Sequence, residues 1–419
     1  MLHQEPLADV ADDLRSGRID LDAYVDELEE RAAAVDPEIE ALVAEEGRWE
    51  RLRDQAAALT ERYPDPADRP PLYGVPVGVK DIFHVEELPT RAGSDLPPGV
   101  ITGDEAAAVT ALRRAGALVL GKTVTTEFAH MSPGPTRNPH DTDRTPGGSS
   151  SGSAAAVAAG LCPVAFGTQT IGSVIRPAAF CGVVGYKPSF GRISTEGVIP
   201  LSESVDHVGV FTQDTAGVSL VAPLLCDSWR TLPAPTERPT IGVPDGAYLE
   251  QASDTALDAF EDHLDALTAA GYDVVRVDDA ARVDVDTPAG AVTCWSVPAH
   301  NDPEGPNAGP NGSVVHPPGF GCGFLLSVGG RTVFWPGDSD ALDGFAELDV
   351  SIFLANIGGG GLVSDRRAAA DLAEELDPDL VVPIHYDTFD RLEADGEAFA
   401  GDVAARSIPV ALDARSANQ

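Results

Sequence analysis

Apolar positions near the start of the chain recur every three or four residues. Leu7, Val10 and Leu14, then Leu21, Tyr24, Val25 and Leu28, share the spacing of one helix face, which predicts amphipathic helices across residues 5–60. The period then changes. Around 71–83, LYGVPVGVKDIF reads as a short strand after a proline-rich turn. Asp104 to Arg114 reads as a helix closed by Gly116, and Ala117–Leu120 as a buried strand. A glycine-serine loop at 147–153 leads into a helix over Ala154–Ala159, with strand-like pieces at 163–167 and 182–186. Thr240–Val243, a helix through Leu257, Phe260, Leu264 and Leu267, Gly271, and Tyr272–Val277 form a β-α-β unit. This alternation predicts an α/β fold, a mostly parallel sheet covered by helices.

The texture changes near residue 280. Strand signals dominate 281–335: Ala291–Val297, Cys322–Val328, a Gly329-Gly330 turn and Arg331–Trp335, which together read as a hairpin. Residues 301–321 are a proline- and glycine-rich loop. Asp349–Leu354 reads as a strand, Asp365–Leu376 as a helix, and Leu380–Ile384 as a strand ending at His385. A domain boundary is expected at 278–288, giving domains 1–280 and 281–419.

Composition narrows the partners. The 419 residues carry 67 acidic against 28 basic side chains, a formal net charge of -39. Phosphate backbones and anionic lipid are disfavoured by that charge, so neither nucleic acid nor a membrane is an expected partner. No apolar run reaches the roughly 18–20 residues of a membrane span. The stretch MLHQEPLADVADD is too acidic for a secretory signal, so a cytoplasmic location is expected. Lys80, Lys122 and Lys187 are the only lysines, and the other basic residues are arginine. An acidic chain nearly emptied of lysine has the composition of a halophilic protein, in which salt screens carboxylate repulsion. In such a chain a lysine that survives is a candidate for a chemical duty. The 5 cysteines make no CxxC pair and no zinc spacing, so they read as reduced thiols, with Cys162 and Cys181 in the core.

The densest chemical signal is Thr145 to Pro188, TPGGSSSGSAAAVAAGLCPVAFGTQTIGSVIRPAAFCGVVGYKP. Alone, GGSSSGS fits a flexible linker. Here it lies between a strand and a helix, with a second Gly-Ser element following. Small residues let backbone N–H groups converge on a negative oxygen, as acyl transfer requires. With GVPVGVKDIF, GKTVTTEFA, TRNPHD, PGGSSSGSAAAVAAG, GTQTIGS, RPAAFCGVVGYKPSFGRIS and SVDHVG, residues 60–245 resemble the amidase signature family of serine hydrolases, which cleave carboxamides.

The resemblance implies a mixed sheet covered by helices and a Ser–Ser–Lys triad. Ser173 would be the nucleophile, Ser149 would follow a cis peptide bond and bridge the other two, and Lys80 would be the terminal base. Backbone N–H groups of Thr170, Ile171, Gly172 and Ser173 would form the oxyanion hole, with Ser150 and Arg176 in support. It implies no cofactor and a small-molecule amide substrate. A related role within a tRNA-dependent amidotransferase would require partner subunits. Many members read GTDTGGSIR where this chain reads GTQTIGSVIR, which puts Ile171 at a common glycine position and moves the arginine by one residue. Lys122 and Lys187 read as structural. Gly116 to Thr123 also fits a phosphate-loop pattern, but the first glycine ends a helix and the residues between are apolar strand, so nucleotide binding is not expected.

The family likeness fades near 280, before the amidase domain's usual C-terminal part. SVPAHN, GFGCGFLLSVGGRTVFWPGDSD, DVSIFLANIGG and DPDLVVPIHYDTF instead resemble the second half of a metallo-β-lactamase-fold hydrolase, half of an αββα sandwich. That resemblance implies metal ligands at His300, Asp338 and His385. The HxHxDH motif that supplies most ligands in that family is absent from the chain, so a vestigial zinc site is the expectation. Three readings stay open: an amidase acting through Ser173, a metal-dependent hydrolase, and an inactive fused remnant.

Overall fold

The computed structural model describes residues 5–230, 238–244, 249, 252–277, 282–287, 290–319, 321–387 and 392–412. The chain divides into two compact units, Met1–Leu232 and Pro233–Gln419. Of the expected boundary at 278–288, only 282–287 lies among the described residues.

In the first unit the amphipathic opening becomes three helices: α1 (Leu7–Ser16), α2 (Leu21–Ile39) and α3 (Arg48–Arg62). Left-handed glycines punctuate them, Gly17 (φ 76°) after α1 and Gly47 (φ 75°) before α3. Asp20 caps α2, its carboxylate accepting from the Ala23 N–H at 3.0 Å. The stripe read from the sequence is the buried face, since Leu7, Val10, Leu14, Tyr24, Val25 and Leu28 are all inside.

These helices accompany a five-stranded mixed sheet, β1 (Pro76–Lys80), β2 (Leu118–Thr123), β3 (Val164–Gln169), β4 (Val184–Tyr186) and β5 (His207–Thr212), in the order β2-β1-β3-β5-β4. Strand β1 runs parallel to both β2 and β3, whereas β5 runs antiparallel to β3 and β4. Among the described residues the unit also holds the α-helices α4 (Ala107–Arg114), α5 (Ser151–Ala158), α6 (Ile175–Cys181) and α7 (Thr215–Leu225). Every residue of β1, β2 and β3 is buried, and Phe83 stacks on Phe166 with ring centroids 5.4 Å apart. The β2 edge is closed by chain from the α2–α3 region. Val43 donates its N–H to the Lys122 carbonyl, and Arg51 donates to the Val119 and Leu120 carbonyls.

A buried ion pair ties β1 to β2. Lys122 Nζ lies 2.8 Å from Asp81 Oδ1 and 3.2 Å from Thr90 Oγ1. Both charged side chains are buried. The expected structural duty of Lys122 thus has a geometric basis. Lys187 donates to the Pro188 carbonyl.

The second unit holds a two-stranded parallel pair, β6 (Ile241–Pro244) and β7 (Val274–Val277), joined through α8 (Asp254–Ala269), as the β-α-β pattern predicts. A six-stranded sheet follows: β8 (Arg282–Thr287), β9 (Gly290–Ala299), β10 (Gly321–Val328), β11 (Arg331–Trp335), β12 (Ile352–Asn356) and β13 (Leu380–Ile384), in the order β13-β12-β11-β10-β9-β8. The β10–β11 pair is the expected hairpin, with Gly329 and Gly330 both at positive φ (58° and 78°) in its turn. Two helices, α9 (Arg366–Leu376) and α10 (Gly396–Ala405), pack with this sheet around Phe334, Phe353 and Phe399. Among the described residues no helix is long and apolar enough to cross a membrane.

Close packing around α5 fixes the loop that precedes it. A Cβ at Gly152 would sit 2.4 Å from both the Ala41 oxygen and the Val124 nitrogen, which are backbone atoms and cannot swing aside. Gly152→Ala should therefore lose roughly 1–3 kcal/mol or more in denaturant titration; an unchanged midpoint would contradict this packing. Lys122→Met strands a buried carboxylate and should cost roughly 3–5 kcal/mol, whereas the double variant Asp81→Asn/Lys122→Met should recover most of it. Equal losses in single and double variants would show that the pair is not what the stability depends on.

Candidate active site

Lys80 is the last residue of β1. Its strand is sequestered between β2 and β3 because Gly78 leaves no room for a side chain: a Cβ there would lie 2.9 Å from Thr123 Cγ2 and 3.2 Å from both Ala165 Cβ and Cys162 Sγ. The lysine is wholly buried, yet no carboxylate meets its amine. Its partners are two hydroxyls, Ser149 Oγ at 2.8 Å and Thr168 Oγ1 at 2.7 Å. Burial draws the amine down from the usual lysine range to about 7, and the charge of Asp206 opposes the fall only in part.

Ser149 stands where the glycine-serine loop enters α5, and the Gly148–Ser149 peptide bond is cis. Arg176, on α6, donates Nε and Nη2 to the Gly148 carbonyl at 3.1 and 2.7 Å. The Ser149 carbonyl accepts from the Thr126 N–H and the Thr125 hydroxyl. Ser150 Oγ donates to the Thr168 carbonyl and accepts from the Thr168 N–H, each at 3.2 Å, so it locks β3 to the loop. Ser150 and Arg176 therefore touch backbone rather than Lys80.

The loop from β3 to α6 carries Thr170, Ile171, Gly172 and Ser173. Gln169 organises it. Its Oε1 accepts from the Val174 and Ile175 N–H groups at 2.9 and 3.0 Å, and its Nε2 donates to the Ile171 carbonyl at 3.0 Å. Thr170 Oγ1 donates to Asp206 at 2.6 Å. The N–H groups of residues 170–173 donate to no acceptor among the described residues, and the Ile171 side chain is 89% exposed. Four consecutive uncommitted donors suit a negative oxygen. Ser173 is half-buried at the end of this loop. Its hydroxyl has no hydrogen bond to Ser149 or to any other described residue. The structure thus brings Lys80 and Ser149 together and leaves Ser173 beside its donors without that second link. A cavity of about 290 Å³ adjoins the loop at Thr168 and Thr170 and is lined also by Ile82, Ala129, Asp206 and His207; Lys80, Ser149 and Ser173 are not among its lining residues.

Thr168, Gln169 and Asp206 are not marked by the sequence. The only hint is that Thr168 and Gln169 belong to GTQTIGS and Asp206 to SVDHVG.

In the second unit, Asp338 Oδ1 lies 3.1 Å from His385 Nε2 and Oδ2 lies 3.7 Å from His316 Nε2. The His385 bond holds the Asp338 carboxyl below its usual range, and the same bond raises His385. His316 comes from the loop after β9 and is not singled out by sequence. His300 makes no hydrogen bond or ion pair with Asp338 or His385, and the buried Nδ1 atoms of His300 and His385 have no hydrogen-bond partner among the described residues. No group of three or more His, Cys, Asp or Glu among the described residues converges as a metal shell would. Among the described residues Asp338 pairs with His385 and His316, and this arrangement does not fit the His300–Asp338–His385 zinc set that the resemblance implies.

Comparison with known proteins gives two matching regions. Residues 23–285 match the family model Amidase, and residues 263–385 match a beta-lactamase superfamily domain. One component of the glutamyl-tRNA(Gln) amidotransferase of Nitratidesulfovibrio vulgaris (strain DP4) is 42% identical over 226 residues, which are 52% of this chain and 45% of that protein. A solved amidase superposes with a TM-score of 0.58 at 40% identity, over 66% of this chain and 64% of its own. Native peptide amidase from Stenotrophomonas maltophilia gives a TM-score of 0.57 at 31% identity, over 66% of this chain and 62% of its own. The chain spans about half the length of the curated relatives it matches. With the Amidase match covering residues 23–285 and the solved amidases sharing the fold, the chain belongs to the amidase family.

Proposed function

We propose that this protein hydrolyses a carboxamide C–N bond through an acyl-enzyme on Ser173, with Ser149 as relay and Lys80 as base. The observation that carries the reading is the buried Lys80 amine, drawn to about 7 and hydrogen-bonded to Ser149. An ordinary lysine is charged at neutral pH and cannot accept a proton; burial brings the neutral form of this one within reach near neutral pH.

The steps follow from that amine. Ser173 Oγ attacks the amide carbonyl carbon. Its proton passes to Ser149 Oγ, whose own proton passes to Lys80 Nζ. Negative charge gathers on the substrate oxygen, where the uncommitted N–H groups of residues 170–173 meet it. As the tetrahedral intermediate collapses, the leaving amine takes the proton back along the same path. Water then attacks the ester, giving the carboxylic acid and restoring Ser173. The missing Ser149–Ser173 bond belongs to the free protein, and catalytic hydrogen bonds commonly tighten only when substrate is bound.

The substrate proposed is a small carboxamide, for which the cavity beside Thr168 and Thr170 leaves room. Ammonia release from a panel of simple primary carboxamides, in concentrated potassium chloride, tests the reading. The rate at low substrate should rise tenfold per pH unit below about 7 and level off above it, because the neutral amine is the active form. Lys80→Ala should lower the plateau by roughly 10²–10⁴. No release from any amide, or a Lys80→Ala variant as fast as the parent, would sink it.

A further inference from the structure

We propose that Thr168 is a positioning residue for Lys80, turning the lone pair of the neutral amine toward Ser149. Its consequence for catalysis rests on the hydrolase reading above, but its geometry does not.

A neutral amine has two N–H bonds and one lone pair. To act as a base toward Ser149, it must point the lone pair at that hydroxyl and both N–H bonds elsewhere. In a water-filled site solvent would accept them. Here the amine is sealed from solvent, and Thr168 Oγ1, 2.7 Å away, is its sole hydrogen-bond partner besides Ser149 among the described residues. When Lys80 takes the proton, the new N–H donates to Ser149 and the Thr168 bond persists. Thr168 therefore holds the nitrogen in both charge states, while only the Ser149 contact reverses its donor and acceptor.

The hydroxyl is itself fixed. Thr168 lies in β3, paired with Val208 of β5, and Ser150 Oγ clasps its carbonyl and N–H. A β-branched side chain on such a backbone has little rotameric freedom. The charged groups nearby do not compete for the amine. Asp206, Glu203 and His207 line the adjoining cavity, and on the β1–β2 side Asp81 and Lys122 are spent on each other; none of them hydrogen-bonds Lys80.

The chain's three lysines make the test direct. Lysine labelled with carbon-13 at Cε should give three resonances, and the Lys80 titration can be followed in the full chain. Thr168→Val keeps the shape and removes an acceptor from the ammonium form, so the Lys80 midpoint should fall by about 1 pH unit. Thr168→Ser should restore the parental midpoint, with the Lys122 and Lys187 signals unmoved in both variants. A Thr168→Val curve that superposes on the parent, or a Thr168→Ser curve shifted like Thr168→Val, would overturn the proposal. Amide hydrolysis on the same samples separates it from the reading beneath it. At pH 9, where Lys80 is neutral in every variant, Thr168→Val should be roughly 10- to 100-fold slower with Thr168→Ser near parental; equal rates for parent and Thr168→Val would also overturn it. A parent that hydrolyses nothing defeats the hydrolase reading, and the lysine titration still decides the role of Thr168.

Discussion

A lysine amine shut away from water with only hydroxyls for company is the constraint on which the first unit turns. The contrast with Lys122 shows what is unusual. Both lysines are buried, and burial lowers both amines. Lys122 faces a carboxylate 2.8 Å away, which favours its charged form. Lys80 faces Ser149 and Thr168, and the negative charge of Asp206 acts on it without a hydrogen bond. The first arrangement is a brace between strands. The second gives the charged form no carboxylate to pair with, and burial draws the amine down to about 7.

Much of the surrounding architecture keeps those hydroxyls in place. Arg176 holds the Gly148 carbonyl, Ser150 clasps Thr168, and Gln169 threads three hydrogen bonds through the loop that carries Ser173. Gly78 and Gly152 let the strand and helix close in to that distance. Among the described residues the same loop keeps four N–H groups uncommitted, so an ordered segment and open donors coexist.

The legible parts of this structure are those written by periodicity and turn chemistry. The stripe of Leu7, Val10 and Leu14, the Gly329-Gly330 hairpin and the β-α-β unit near 240–277 all form as their patterns predict. The helix over Ile175–Cys181 is not predicted, because it is short and contains a proline and few apolar periods. Strand β5 is not predicted either, because HVGVFT follows a polar motif without a turn signal to open a strand. At the site, Lys80 stands out by the rarity of lysine, and its contact with Ser149 is present. Thr168 does not, because a threonine in a strand is ordinary, and only the fold shows which way its hydroxyl is used. In the second unit, Asp338 and His385 meet as their motifs imply, but the carboxylate's other neighbour is His316 rather than His300. A histidine in a proline- and glycine-rich loop carries no spacing that could announce it.

The chain matches two family models and spans about half the length of the curated relatives it matches. The chemistry proposed for the first unit therefore has to be read from its own residues. The most direct measurement is mapping, by fragment-ion mass spectrometry, of the adduct left by a serine-reactive fluorophosphonate on the full chain in concentrated salt. The account predicts one phosphonyl group, on Ser173, and none in the Lys80→Ala variant. An adduct on a different serine, or a folded parent that takes up no label, would contradict it.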